Sequence, residues 1–140
     1  MLPAPIPETE TPRLAALRAA NSAYAPREER FDRITRIARR LLHVPIAMIS
    51  IVEQGEQWFR SVQGLEVAHT ARDISFCGHV VALNRAFFVP DTWSDPDFAD
   101  NPLVTGPPGI RSYIGWPLEI ARRDGRRAVR HGHDAAHLWC

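Results

Sequence analysis

Apolar residues recur at two different intervals along this chain, and those intervals divide it into elements. Thr11 followed by Pro12 reads as a cap and first helical position, and Leu14, Ala15, Leu17 and Ala20 predict a short helix that Asn21 and Ser22 weaken. After Pro26, Phe31, Ile34, Ile37, Ala38, Leu41 and Leu42 recur in steps of three and four, with most of the Arg residues elsewhere on the wheel; this predicts a second helix with its apolar row buried. Val44 to Val52 is a nearly continuous apolar run of strand length, and Gln57 to Gln63, carrying Trp58, Phe59 and Val62, pairs with it as an antiparallel hairpin across a polar turn. Residues 64–74 are polar and irregular. Ser75 caps a predicted helix with Phe76, Val80, Val81 and Leu83 on its buried side, and a short strand follows from Ala86 to Val89. The stretch from Asp91 to Gly109, rich in Pro, Gly and Asp, predicts a structured loop, and Tyr113 to Ile120 a last strand with an edge or bulge at Pro117. Helices and sequence-adjacent strands in this order predict an α+β fold in which helices cover an antiparallel sheet.

Composition narrows the picture. At 140 residues, 45% of them hydrophobic and 24% charged, the chain makes one modest domain. Its net charge of +1 recommends neither nucleic acid nor a membrane as partner, and no stretch has the length and apolarity of a bilayer span. Two cysteines, Cys77 and Cys140, make no disulfide framework, which predicts a reduced, cytoplasmic setting. Four prolines among the first twelve residues predict a mobile lead-in over 1–10. The charge is uneven: residues 121–140 hold five Arg and two acids, a net +3 unlike the text before them.

Three blocks carry a family likeness: PREERFDRITRIARRLLHVPIAMISIVEQGEQWFRSVQGL, ISFCGHVV and FVPDTWSDPDFADNPLVTGPPGIRSYIGWPL. In order and spacing they resemble the GAF domain of bacterial sensor kinases and cyclic-dinucleotide enzymes, from about Arg13 to Leu118. The resemblance implies an α/β sandwich with a central antiparallel sheet as the floor of a pocket. It also implies a non-catalytic sensory or regulatory role: binding an unknown small molecule or forming a homodimer, and passing a signal to an output kinase or cyclase domain. The family pattern continues after PL with a further central strand, whereas this chain reads EIARRDGRRAVRHGHDAAHLWC. With allowed codons, a shift of one nucleotide turns residues 126–139 into GALCVMDTTPRTFG, close to that strand; the all-Arg basic composition fits GC-rich codons. The expectation is therefore a GAF-like domain over 11–120, a frame-shifted basic tail over 121–140, a missing last strand and marginal stability.

Candidate chemistry is sparse. Trp58, Phe76, Trp93, Phe98 and Tyr113 are aromatic candidates for a pocket wall, and Arg111 offers a planar fork for a carboxylate or phosphate. Cys77 and His79, in SFCGH at a helix start, form the arrangement a nucleophilic thiol needs, and the resemblance includes proteins that reduce free methionine sulfoxide through cysteine; with no resolving thiol outside the tail, packing is the preferred role for Cys77. Asp91 and the aspartates after it fit turn-making better than calcium. The tail's His131, His133, His137 and Cys140 match no metal signature, so no metal and no cofactor are expected.

Overall fold

The computed structural model describes residues 1–20 and 25–118. Two long helices come first, α1 (Glu10–Ala19) and α2 (Glu29–Leu41). The strands β1 (Ala47–Val52), β2 (Glu56–Gln63) and β3 (His69–Ala71) form one antiparallel sheet in that order. Helix α3 (Phe76–Leu83) leads to β4 (Phe87–Val89), the single turn α4 (Pro102–Thr105) and β5 (Tyr113–Gly115), which pairs antiparallel with β4. The α+β architecture and the hairpin agree with the sequence reading. Strand β3 departs from the irregular segment expected over 64–74; His69–Ala71 pairs with Trp58, Gln57 and Glu56 on the edge of β2 that β1 leaves open. The tail, and with it the missing-strand, frame-shift and histidine-cluster readings, lies outside the described residues.

All six residues of β1 are buried, and alternation assigns them to two faces. Met48, Ser50 and Val52 pair across to Val62, Phe59 and Gln57 on the α3 side. Ile51 pairs with Trp58 on the other side, where both meet Leu14 and Leu17 of α1. Opposite Ile49 and Ser50 the register slips: Ile49 pairs with Ser61 and Ser50 with Phe59, so Arg60 is an extra residue, a β-bulge. The bulge lets consecutive residues serve α2. Arg60 donates to the carboxylate of Glu28 (2.8 Å), while the Ser61 and Thr35 hydroxyls lie 2.8 Å apart.

That polar contact overturns one expectation. Thr35 and Ala38 are the buried residues of α2, whereas Ile34, Ile37, Leu41 and Leu42 are about half or more exposed. Serine, bulge arginine and Gln63 on the sheet select the polar side of the helix, since buried hydroxyls need partners that isoleucine cannot supply. Leu83, expected in the core, is also exposed.

Both ends of the segment 1–10 make specific contacts, while most of the residues between them are exposed. The Leu2 amide donates to the Asp97 carbonyl (2.9 Å), the Met1 amino group pairs with Asp100, and the Leu2 carbonyl lies 3.2 Å from His79 Nε2. At the start of α1, Glu10 accepts from Arg13 Nε (2.9 Å) and Nη2 (2.8 Å) and from Arg72 Nη1, while Arg13 Nη1 donates to the Val52 carbonyl (2.7 Å). All three residues are buried, so one carboxylate compensates two guanidinium groups that tie α1 to β1 and to the chain after β3. Burial pushes the Glu10 carboxyl up, but hydrogen bonds from Arg13 and then Arg72, with their charges, hold it below its ordinary value of 4.5.

Glu10→Ala strands two buried cations, and we expect it to cost about 3–5 kcal/mol in urea unfolding near neutral pH. Because the folded-state pKa is depressed, the carboxylate's contribution is complete above pH 4.5 and is lost as pH falls through the folded value. The gap between wild type and Glu10→Gln therefore narrows in acid; a gap that is constant with pH contradicts the assignment. Gly64 sits at φ +87°, and a Cβ there would run into the Pro45 carbonyl oxygen. Gly64→Ala is expected to lower stability by at least about 1–3 kcal/mol, measured by thermal or urea unfolding.

Candidate functional site

The core between the sheet and α3 is built around a buried polar network. Ser75 caps α3, its hydroxyl accepting from the Gly78 amide (3.3 Å) and donating to Gln57 Oε1. That contact orients the Gln57 amide so that its Nε2 donates to Cys77 Sγ (3.3 Å), to which Ser50 Oγ also donates (3.3 Å). The Tyr113 hydroxyl lies 3.9 Å from the same sulfur, and its burial raises its pKa well above 10.0. Cys77 is completely buried, which is a packing environment for a thiol rather than an open one. Phe76 stacks on Phe98 (4.7 Å between centroids) and packs beside Tyr113 (5.1 Å), so these three are core.

His79 is nearly buried, stacked on Phe87 and edge-on to Phe98. Burial lowers its pKa from 6.5, against the Leu2 hydrogen bond and the charges of Asp97 and Asp95. Trp58 stacks on His69 across the sheet from α3. Asp91 makes its own turn, accepting from the Ser94 hydroxyl (2.6 Å) and the Trp93 amide (3.0 Å), contacts that lower its pKa. Among the described residues no group of three or more His, Cys, Asp or Glu is placed to hold a metal ion.

A cavity of about 500 Å³ opens between the α3-side face of the β1–β2 hairpin and the segment 103–112. Its floor is Met48, Gln57 and Phe59, its rim Val44, Pro45, Ile46, Gly64, Leu65 and Thr70, and its wall Leu103 and Pro108 to Ser112. The wall is held by specific bonds. Asn101 caps α4 through the Leu103 amide (2.8 Å) and reaches the Ile74 carbonyl (3.0 Å); Thr92 donates to the Ile110 carbonyl (2.6 Å). Of the nine candidates from sequence, Arg111 lines this cavity. Its Nη1 donates to the carbonyls of Val104 (3.0 Å) and Ile110 (3.2 Å), and its guanidinium lies 4.9 Å over the exposed Trp93 ring, a cation–π contact. Sequence reasoning missed Met48, Gln57 and Phe59, although alternation along the hairpin puts them on one face. It did not choose that face because both faces of the sheet are apolar.

The comparisons with known proteins agree with this geometry. The GAF domain family matches residues 26–128. Over 117 residues the chain is 39% identical to a cyclic di-GMP phosphodiesterase of Pseudomonas aeruginosa, covering 84% of this chain and 20% of that protein. The chain thus spans about a fifth of the relative it matches. Among solved structures, the GAF domain of a Coxiella burnetii phosphoenolpyruvate-protein phosphotransferase superposes with a TM-score of 0.57 at 15% identity, covering 94% of this chain and 76% of that one. A type II free methionine-R-sulfoxide reductase from Thermoplasma acidophilum superposes with a TM-score of 0.56 at 12% identity, covering 79% and 70%. At such identities these structures speak for the fold alone. Family match, curated relative and two-faced sheet together place this chain in the GAF domain family.

Proposed function

We propose that this chain is a sensory or regulatory module whose cavity beside Arg111 takes a small, mainly apolar molecule bearing one anionic group. The cavity carries the reading: its volume lies in the range of small-molecule sites, its floor and wall are largely hydrocarbon, and Arg111 is the charged residue among its described lining. Nη1 is engaged by two carbonyls and the guanidinium carbon lies over the Trp93 ring, so the other N–H groups of Arg111 are the ones left to donate to a carboxylate or phosphate. Gln57, Thr70 and Ser112 supply few other polar groups, which suits a ligand with one polar end better than a nucleotide. The ligand acts by favouring one position of the 103–112 segment over the hairpin, a population shift read by an attached output domain. The resemblance to a cyclic di-GMP phosphodiesterase makes enzymes of cyclic-dinucleotide turnover the preferred output class.

A thermal-shift screen of medium-chain fatty acids and aromatic carboxylates tests this reading. We expect at least one to raise the melting temperature, with the rise lost in Ile110→Trp, which fills the cavity, and reduced about tenfold in affinity in Arg111→Ala. Equal shifts in all three proteins would overturn it.

The thiol-reductase alternative makes its own demand, an accessible Cys77. In a Cys140→Ser background we expect Cys77 to react with an aromatic disulfide reagent only in denaturant, and free methionine sulfoxide with dithiothreitol to turn over no faster than with Cys77→Ala. Rapid native labelling together with Cys77-dependent turnover would replace the regulatory reading with an enzymatic one.

A further inference from the structure

The Glu10–Arg13–Arg72 cluster is buried with more positive charge than negative. The side chains of Arg13, Arg72 and Glu10 are 3%, 5% and 11% exposed, and among the described residues Glu10 is the one carboxylate that pairs with either guanidinium. The two arginines are used unequally. Arg13 spends all three of its nitrogens, Nε and Nη2 on Glu10 and Nη1 on the Val52 carbonyl. Arg72 spends one: Nη1 donates to Glu10 and to the Glu53 carbonyl (3.1 Å), while Nε and Nη2 are buried and meet no acceptor among the described residues. Those two nitrogens form one edge of a planar fork, with parallel N–H groups that hold a carboxylate at both oxygens or a halide between them. Leaving such an edge dry and unpaired is costly, and more so where the cluster already lacks a counter-charge.

We propose that Arg72 Nε and Nη2 form a buried site for one small monovalent anion, a halide or a carboxylate the size of formate. Such an anion brings the cluster to neutrality and supplies the missing acceptor in one step. Divalent sulfate or phosphate would overshoot, replacing an excess of positive charge with an excess of negative. Space also favours a small ion. Arg72 is packed where α3 meets the lead-in: a Cβ on Gly78 would stand 4.0 Å from Arg72 Cγ and 2.7 Å from Ala4 Cβ. The site is separate from the cavity beside Arg111, whose lining does not include Arg72. A water molecule is the rival occupant, since it offers an acceptor but no charge. The anion's effect is to fasten α1 to the chain after β3, the two pieces that Glu10 and Arg72 join.

The test is thermal unfolding of the full chain near neutral pH, with chloride, bromide or formate replacing gluconate at constant ionic strength. We expect each small anion to raise the melting temperature by at least about 2 °C in a saturable way, as binding to the folded state alone requires. Arg72→Met, which removes every N–H of the edge, should abolish the rise. Arg72→Lys, which keeps the charge and loses the fork, should weaken the apparent affinity at least about tenfold. Arg111→Ala should retain the rise, which separates this site from the cavity. Bromide anomalous scattering in crystals of the unmodified chain reads the site without any variant, and a peak touching both Nε and Nη2 is expected. No response to the small anions, an equal rise in Arg72→Met, loss of the rise in Arg111→Ala, or a crystal without bromide at that edge overturns the proposal and leaves water as the occupant.

Discussion

Strand β1 is buried on both faces, and most of the molecule is arranged to satisfy that requirement. A six-residue strand of Ala, Met, Ile, Ser, Ile and Val exposes hydrocarbon to either side, so helices must cover one face and a second apolar layer the other. Leu14 and Leu17 from α1 close one side against Ile51 and Trp58. Phe76, Val80, Phe98 and Tyr113 close the other against Met48 and Val52. The buried Glu10–Arg13–Arg72 cluster then fixes α1 to the end of that same strand, through the Val52 carbonyl.

The strand also separates two surfaces of different chemistry. On the α3 side, the Ser75–Gln57–Cys77 network is fully buried and internally bonded, so it holds the floor of the cavity in one arrangement. The wall is different in kind: it is a turn-rich segment held at a few points by Asn101, Thr92 and Arg111. In the proposed regulatory reading, a ligand would act on this anchored wall rather than on the internally bonded floor. On the opposite side, the bulge at Arg60 brings two consecutive polar residues to α2 and so turns its isoleucines to solvent. That outward row follows from a register slip of a single residue in the sheet.

Most of the elements were legible in sequence because they rest on local signals: three- and four-residue periodicity for α1 and α2, apolar runs and turn chemistry for the hairpin, and Ser75 as the cap of α3. The aromatic and chemical candidates fared differently once placed. Phe76, Phe98 and Tyr113 form core stacking, Cys77 accepts buried hydrogen bonds, and Asp91 closes its own turn, whereas Arg111 reaches the cavity. A residue's type reports what chemistry it can do; whether it meets a cavity depends on neighbours far away in the chain.

The amino-acid sequence by itself determined the α+β class, the hairpin, the two long helices and the family resemblance, since each depends on residue order within a short window. Tertiary structure alone decided which face of α2 is covered, where the N-terminal residues dock and which side of β1 bounds the cavity. The reason is physical. Both faces of α2 and of the sheet offer plausible partners locally, and the choice is made by long-range hydrogen bonds, Thr35 to Ser61, Arg72 to Glu10 and Asn101 to Ile74, whose partners are tens of residues apart.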